Sequence, residues 1–353
     1  MKKELIDNLL KWYGDNKRDL PWRRNPDAYR VWVSEIMLQQ TRVEAVKPYY
    51  TRFLEKYPDV LALAEAREEE LLKYWEGLGY YNRVRNMQKA ALQVREKYDG
   101  IMPVSYDLLI DLTGIGPYTA GAVASIAGGE KVAAVDGNVL RIITRLNGDY
   151  SNISEQATIQ KIRQELMECM PEESGDFNQA LMELGATVCL PNGEPKCKEC
   201  PWKEACVAKA EGCITDLPVK TKAKQRTIEK RTLILLSGTQ GIALRKRPSK
   251  GLLAGMYEIP AMEGHVTEQE VLAYVKEIGY HPLHIERIED HVHIFSHKEW
   301  NMHAFMLRID EIWDNMKSDG KNAFFFVQPH EIKTMYPLPS AFAPYRKYIE
   351  NGL

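Results

Sequence analysis

The chain has 353 residues, 44% of them hydrophobic, with 47 Lys and Arg against 49 Asp and Glu for a net charge of −2. That length provides for two cores at roughly 100–200 residues per domain, and no stretch is apolar enough to suggest a membrane span. Residues 1–213 carry 28 Lys and Arg against 32 Asp and Glu, which excludes the broad basic face of many nucleic-acid binders and leaves only local clusters and backbone amides for such a role.

From residue 1 to about 213 the periodicity is helical, and an all-α domain is expected. The first segment, MKKELIDNLLKWYGD, has acidic residues interrupting a short apolar run, so it reads as an amphipathic helix rather than a signal peptide. Candidate basic clusters are Lys17-Arg18, Arg23-Arg24 and Arg83-Arg85, each of which also fits ordinary solvated charge. Residues 20–42 place Glu35 on a helix one turn from Val31 and Leu38. A carboxyl along an apolar line has its charged form disfavoured, which raises its pKa and suits it to donate a proton near neutrality; a tolerated boundary glutamate is the alternative. Residues 75–81, WEGLGYY, put two adjacent aromatics after a glycine turn, and core packing is the simpler fate for them.

Residues 112–116, LTGIG, form a glycine-bounded turn, and the small-residue run 118–127 after it suits a helix packed closely on a neighbour. Gly114 and Gly116 would let the backbone approach an anion at the start of that helix. Gly128-Gly129 then breaks the pattern, and Asp136-Gly137-Asn138 opens a helix carrying Val139, Ile142, Ile143 and Leu146, with Asp136 at its start as an N-cap would be. Further on, Cys189-x7-Cys197-x2-Cys200-x5-Cys206 is dense cysteine spacing without histidine, which fits zinc or a 4Fe-4S cluster. With no secretory signal it points to metal ligation in a reducing cytoplasm rather than to disulfides. Cys213 lies x6 beyond Cys206 as a rival ligand, and Cys169 reads as a structural residue. A lysine-rich connector, 214–230, separates this domain from 231–353. There the texture turns to short β-type runs, RTLILL, GIALRKR, HVHIF and AFFFV, with one helix near 268–278, so the second domain is α/β or α+β.

Residues 112–138 resemble the helix-hairpin-helix, Gly/Pro-rich loop and aspartate of one superfamily of base-excision DNA glycosylases, with Thr113 where the family commonly has proline. Residues 34–41, SEIMLQQT, and 75–81 resemble its adenine-specific (MutY) branch, and residues 251–260, GLLAGMYEIP, and 293–297, HIFSH, resemble the MutT-like (Nudix) domain that branch carries. The resemblance implies a multidomain chain: an all-α glycosylase domain with an iron-sulfur cluster, followed by an α/β (α+β) Nudix-like domain that reads 8-oxoguanine. It assigns catalysis to Glu35 and Asp136 with Tyr118 and Asn138 beside them, minor-groove wedging to Gln40 and Tyr80, and other DNA or substrate contacts to Arg18, Trp22, Arg23, Thr41, Leu78, Gly114 and Gly116. Bifunctional relatives have a lysine where this chain has Tyr118, so base removal without strand cleavage is implied. The family spacing, x6-x2-x5, makes the cofactor a 4Fe-4S cluster on Cys189, Cys197, Cys200 and Cys206, although here the first interval is one residue longer.

In the second domain, Phe295-Ser296-His297 falls at a turn where a hydroxyl and an imidazole can face an oxidised base. Its helix lacks the Arg-Glu and Glu-Glu set that would hold magnesium and offers only Glu277 at a comparable place, so pyrophosphate hydrolysis is not expected. The expected partner is duplex DNA with adenine opposite 8-oxoguanine or guanine, bound by a cytoplasmic monomer. Two other functions stay open at this point: an endonuclease III-type enzyme on oxidised pyrimidines, and a non-catalytic lesion binder using only the hairpin and the cluster.

Overall fold

The computed structural model describes residues 1–221, 225–310 and 324–350. Positions 222–224 of the expected linker, and 311–323 and 351–353 of the expected second domain, lie outside the described residues. By internal packing the chain forms two units, Met1–Ala66 with Arg85–Lys222, and Arg67–Val84 with Ala223–Leu353. No helix among the described residues is long and apolar enough to cross a membrane.

The helices run α1 (Lys3–Asn16), α2 (Ala28–Leu38), α3 (Val43–Lys56), α4 (Val60–Ala64), α5 (Glu68–Tyr74), α6 (Asn82–Lys97) and α7 (Tyr106–Ile110). They continue with α8 (Pro117–Gly128), α9 (Gly137–Asn147), α10 (Gln156–Glu168), α11 (Ser174–Thr187) and α12 (Val207–Ala210). Their limits follow local chemistry. Asp27 accepts from the Arg30 amide as the α2 N-cap, Pro117 opens α8 where no N–H is needed, and Gly129 and Gly148 end α8 and α9 in the left-handed region. As the pattern predicts, α1 is amphipathic and buries Ile6, Leu9 and Tyr13 in a core shared with Val139, Ile142, Phe177, Leu181 and Leu184.

The LTGIG turn joins α7 to α8 as the expected hairpin. Gly114 has φ +79° and a Cβ there would meet Asn86 at 2.6 Å, so glycine is required; Gly116 is extended at φ −93°, with open space around it, and needs no glycine. Within α8, a Cβ on Gly121 would come within 2.6 Å of the Ala133 carbonyl. The small-residue run therefore lets the segment before Asp136 lie directly against α8.

The second unit is built on a mixed seven-stranded sheet: β1 (Thr227–Gly238), β2 (Gly241–Lys246), β3 (Tyr257–Glu258), β4 (Ala261–Glu263), β5 (Pro282–Ile294), β6 (Lys298–Ile309) and β7 (Phe324–Val327). The main order is β3-β2-β1-β6-β5, with β4 on β1 and β7 on β2, and β1 runs parallel to β6. Leu233 and Leu235 face one core, with Phe342 and Tyr345, and Ile234 and Leu236 face the other, with Val271 and Val275 of α13 (Glu268–Glu277). Burial on both faces is why the run LILL has no alternation. The strand starts earlier than the sequence suggests: Thr227–Arg231 pairs with Lys298–Met302, so the end of the expected linker is strand. Its mostly exposed side chains hid a segment whose conformation is set by backbone ladder bonds. The other departure is Arg67–Val84, which packs with the sheet unit: Lys73 Nζ donates to the Ile332 and Tyr336 carbonyls at 2.9 and 3.3 Å, and Lys246 pairs with Glu69 at 2.6 Å.

Candidate active site

A cleft of about 890 Å³ in the helical unit collects residues that are far apart in sequence: Arg18, Trp22, Arg23, Glu35, Gln40, Thr41, Tyr118, Asp136 and Asn138. Glu35 comes from the middle of α2 and is 6% exposed. Tyr118, on the first turn of α8, donates its hydroxyl to Glu35 Oε2 at 2.5 Å. Burial pushes the Glu35 carboxyl up to about 7, the Tyr118 hydrogen bond pulling against this and the Asp136 charge adding to it. With Oε2 accepting from the phenol, Oε1 is the oxygen left to carry the proton. Burial, together with the two carboxylates, raises the Tyr118 phenol well above its ordinary value, so it remains a donor.

Asp136 caps α9. Its Oδ1 accepts from the Val139 amide at 2.8 Å and its Oδ2 from Asn138 Nδ2 at 2.7 Å. Burial raises this carboxyl too, but both hydrogen bonds and the Arg141 charge favour its ionised form. The segment leading to it is pinned by Asn178 of α11, whose Oδ1 accepts from the Ala134 amide (3.0 Å) and whose Nδ2 donates to the Val132 carbonyl (2.8 Å) and Ser125 Oγ (2.9 Å). Asn178 is fully buried and has no counterpart in the sequence reading.

The same reading missed Glu183, 1% exposed on α11. It takes Arg18 Nε and Nη2 at 2.5 and 3.0 Å and Arg23 Nη2 at 2.8 Å, while Arg23 Nε donates to Gln179 at 3.2 Å. Against burial, the Arg18 and Arg23 hydrogen bonds and charges hold Glu183 below the ordinary carboxylate range. Thus Arg18 and Arg23, which line the cleft, are both paired with a buried carboxylate, and Arg24 is paired with Asp19 at 2.6 Å. The signal available in the sequence was an acid between Leu181 and Leu184 on a core-facing helix.

Residues 33–172 match the model of the HhH-GPD superfamily of base excision DNA repair proteins, and residues 231–348 match the NUDIX domain. A protein of Mus musculus named adenine DNA glycosylase is 36% identical over 365 residues, covering 86% of this chain and 70% of that protein. One of the same name from Buchnera aphidicola subsp. Acyrthosiphon pisum is 31% identical over 354 residues, covering 99% of this chain and 100% of its own. The chain belongs to the adenine DNA glycosylases. Among solved structures, a thermostable thymine-DNA glycosylase is similar at TM-score 0.54 and 29% identity, covering 59% of this chain and 98% of its own. Endonuclease III trapped as a covalent intermediate with DNA is similar at TM-score 0.51 and 25% identity, covering 60% and 99%.

In this adenine DNA glycosylase, Cys189, Cys197, Cys200 and Cys206 line one small apolar cavity with Ile142 and Trp202. Cys213 does not line this cavity but is buried beside it with Ala208 and Leu217, in a cluster against which Cys206 packs, which leaves the longer first interval compatible with Cys189 facing the cavity. Burial raises the thiols of Cys197, Cys200 (to about 12) and Cys206, so a cationic centre is what would ionise them here. Among the described residues, no three His, Cys, Asp or Glu side chains are placed to hold a single metal ion. A polar chain leads from this cavity to the cleft: Arg141 donates to the Cys189 carbonyl through Nε (2.9 Å) and to Asn138 Oδ1 through Nη2 (2.9 Å), and Asn138 holds Asp136. Arg145 Nη1 lies 3.4 Å from Cys189 Sγ.

The proposed wedges are both in the left-handed region, Gln40 at φ +61° after α2 and Tyr80 at φ +48°. Tyr80 is 45% exposed with the Arg83 guanidinium 5.4 Å from its ring. Leu78, expected as a DNA contact, is 6% exposed in the Gly77–Tyr80 turn. Phe295, Ser296 and His297 connect β5 to β6, with Ser296 and His297 exposed and the Phe295 ring turned into the core.

Proposed function

We propose that the chain hydrolyses the N-glycosidic bond of adenine paired with 8-oxoguanine or guanine in duplex DNA, without cleaving the strand. The observation that carries this reading is one cleft holding two buried carboxyls in unlike settings: Glu35, raised to about 7 by burial and accepting from the Tyr118 hydroxyl, and Asp136, also raised by burial but gripped by a backbone amide and Asn138. Glu35 protonates adenine on its five-membered ring as the base departs. Asp136, ionised, stabilises the oxocarbenium-like sugar directly or covalently, and a water assisted by Glu35 completes the hydrolysis. The Arg18–Glu183–Arg23 array lines the same cleft and, its groups held on one another, fixes the wall that the extruded base would meet.

The four cavity thiols are inferred to hold a 4Fe-4S cluster, which when bound supplies covalent ties among α11's end, the loop 189–206 and the start of α12. Adenine is a normal base, so its removal must be licensed by the opposite one. The Nudix-like unit is inferred to read that base through Ser296 and His297, and Gln40 and Tyr80 to fill the space the adenine leaves. The test is single-turnover excision by the purified protein on duplexes with adenine opposite 8-oxoguanine, guanine, thymine or cytosine. Release opposite the first two is expected; equal release opposite all four, or none, overturns the reading.

A further inference from the structure

The turn between β5 and β6 is held by side chains from several strands. The Phe295 amide donates to the Lys298 carbonyl at 2.8 Å and closes the turn, while the His297 carbonyl accepts from the Thr227 amide at 3.2 Å. The Phe295 ring stands edge-on to Trp300, centroids 4.9 Å apart, and edge-on to His293 at 4.6 Å. Trp300 is 1% exposed. Its indole Nε1 donates to Glu229 at 2.8 Å, and Lys298, inside the turn, pairs with the same carboxylate.

Trp300 also meets two cations. The Arg231 guanidinium lies 4.1 Å from its ring centroid and that of Arg247 lies 5.6 Å away. Both are ion-paired with Glu258, itself 1% exposed and also paired with Arg245. One carboxylate thus faces three guanidiniums, and Arg231 Nη1 is buried without a hydrogen-bond partner. In so desolvated a place, the negative face of the indole and the Glu229 charge are what is left to offset the excess positive charge, and both act through or beside Trp300. The ring is therefore fixed on one side by the cation cluster and by Glu229, and it in turn fixes Phe295.

We propose that Trp300 is a positioning residue for opposite-base selectivity, the joint through which the Glu258–Arg231–Arg247 cluster holds the 295–297 turn so that Ser296 and His297 are presented to the base. The segments 251–260 and 293–297, separate in sequence, are on this view one device. The inference rests on the reading that this turn contacts the base opposite adenine.

The experiment uses full-length parent, Trp300→Phe, Trp300→Leu, Arg231→Met and Ser296→Ala, with single-turnover excision of adenine opposite 8-oxoguanine and opposite guanine at matched salt. Trp300→Leu and Arg231→Met are expected to lower the ratio of the two rates about tenfold while the guanine-opposite rate stays within about twofold; Trp300→Phe, which keeps a ring face, stays within about threefold of the parent ratio. In DNA-free protein, hydrogen exchange at the Phe295 amide should quicken about tenfold in Arg231→Met and Trp300→Leu with the core of the sheet still protected. If Trp300→Leu does not fold, Arg231→Met and Trp300→Phe carry both measurements. A parent-like ratio in Arg231→Met and Trp300→Leu, with Ser296→Ala lowering it, overturns the role of Trp300 and leaves the turn as reader. A parent-like ratio in Ser296→Ala overturns the turn as reader and the inference with it.

Discussion

Glu35→Gln keeps the shape of the α2 side chain and the acceptor for Tyr118 but removes the transferable proton. With the Glu35 carboxyl at about 7, roughly half the molecules carry the proton at pH 7, against about one in three hundred for a carboxyl at its ordinary 4.5. Burial of α2 against the cleft thus raises the competent fraction by about two orders of magnitude. The single-turnover rate of the parent should be flat below pH 7 and fall about tenfold per pH unit above it, and Glu35→Gln should lose roughly 10²- to 10⁴-fold and with it this limb of the profile. Stability also falls with rising pH. Because the folded-state value is raised, the stability Glu35 contributes is fully present below about 4.5 and is lost as pH rises to about 7, a loss of about 3 kcal/mol. Glu35→Gln should therefore be more stable than the parent at pH 8 and lose that advantage near pH 4.5. Excision rates from pH 5.5 to 9 on an adenine:8-oxoguanine duplex, with denaturation midpoints at both ends, measure this. A glutamine variant within a few-fold of the parent rate, or one that keeps the alkaline limb, refutes the assignment of the proton to Glu35.

Tyr118 donates to Glu35 and carries no amine, so product DNA should stay intact until alkali is added, and borohydride trapping that depends on position 118 would contradict this. Cys189→Ser should lower iron content and visible absorption while Cys213→Ser leaves both unchanged, since only Cys189 faces the cavity; the reverse result moves the first ligand. Arg141→Gln should slow excision about tenfold or more with DNA affinity retained, by releasing Asn138 from its tie to the Cys189 carbonyl, and an unchanged single-turnover rate would show that Asp136 is held without it.

Local chemistry was legible in the sequence wherever a short segment determines its own conformation. The glycine turn at Gly114, the Asp136 N-cap and the apolar neighbours of Glu35 follow from covalent geometry and helical period, and together with the family resemblance of residues 34–41 and 112–138 they located both carboxyls and the hairpin before any packing was known. The cysteine spacing likewise marked the four thiols that line one cavity. What the sequence could not supply are partners that only long-range packing brings together. Glu183 is an ordinary helix acid until it meets Arg18 and Arg23 from more than a hundred residues away, and Thr227–Arg231 looks like a linker until β6 offers it a ladder of hydrogen bonds. The electrostatic consequence is decided at the same level. A carboxyl on an apolar helix line can be expected to shift upward, but how far Glu35 shifts depends on the water excluded by α8 and α11 and on the Tyr118 and Asp136 groups set beside it, and desolvation is a property of the assembled cleft and not of any one segment.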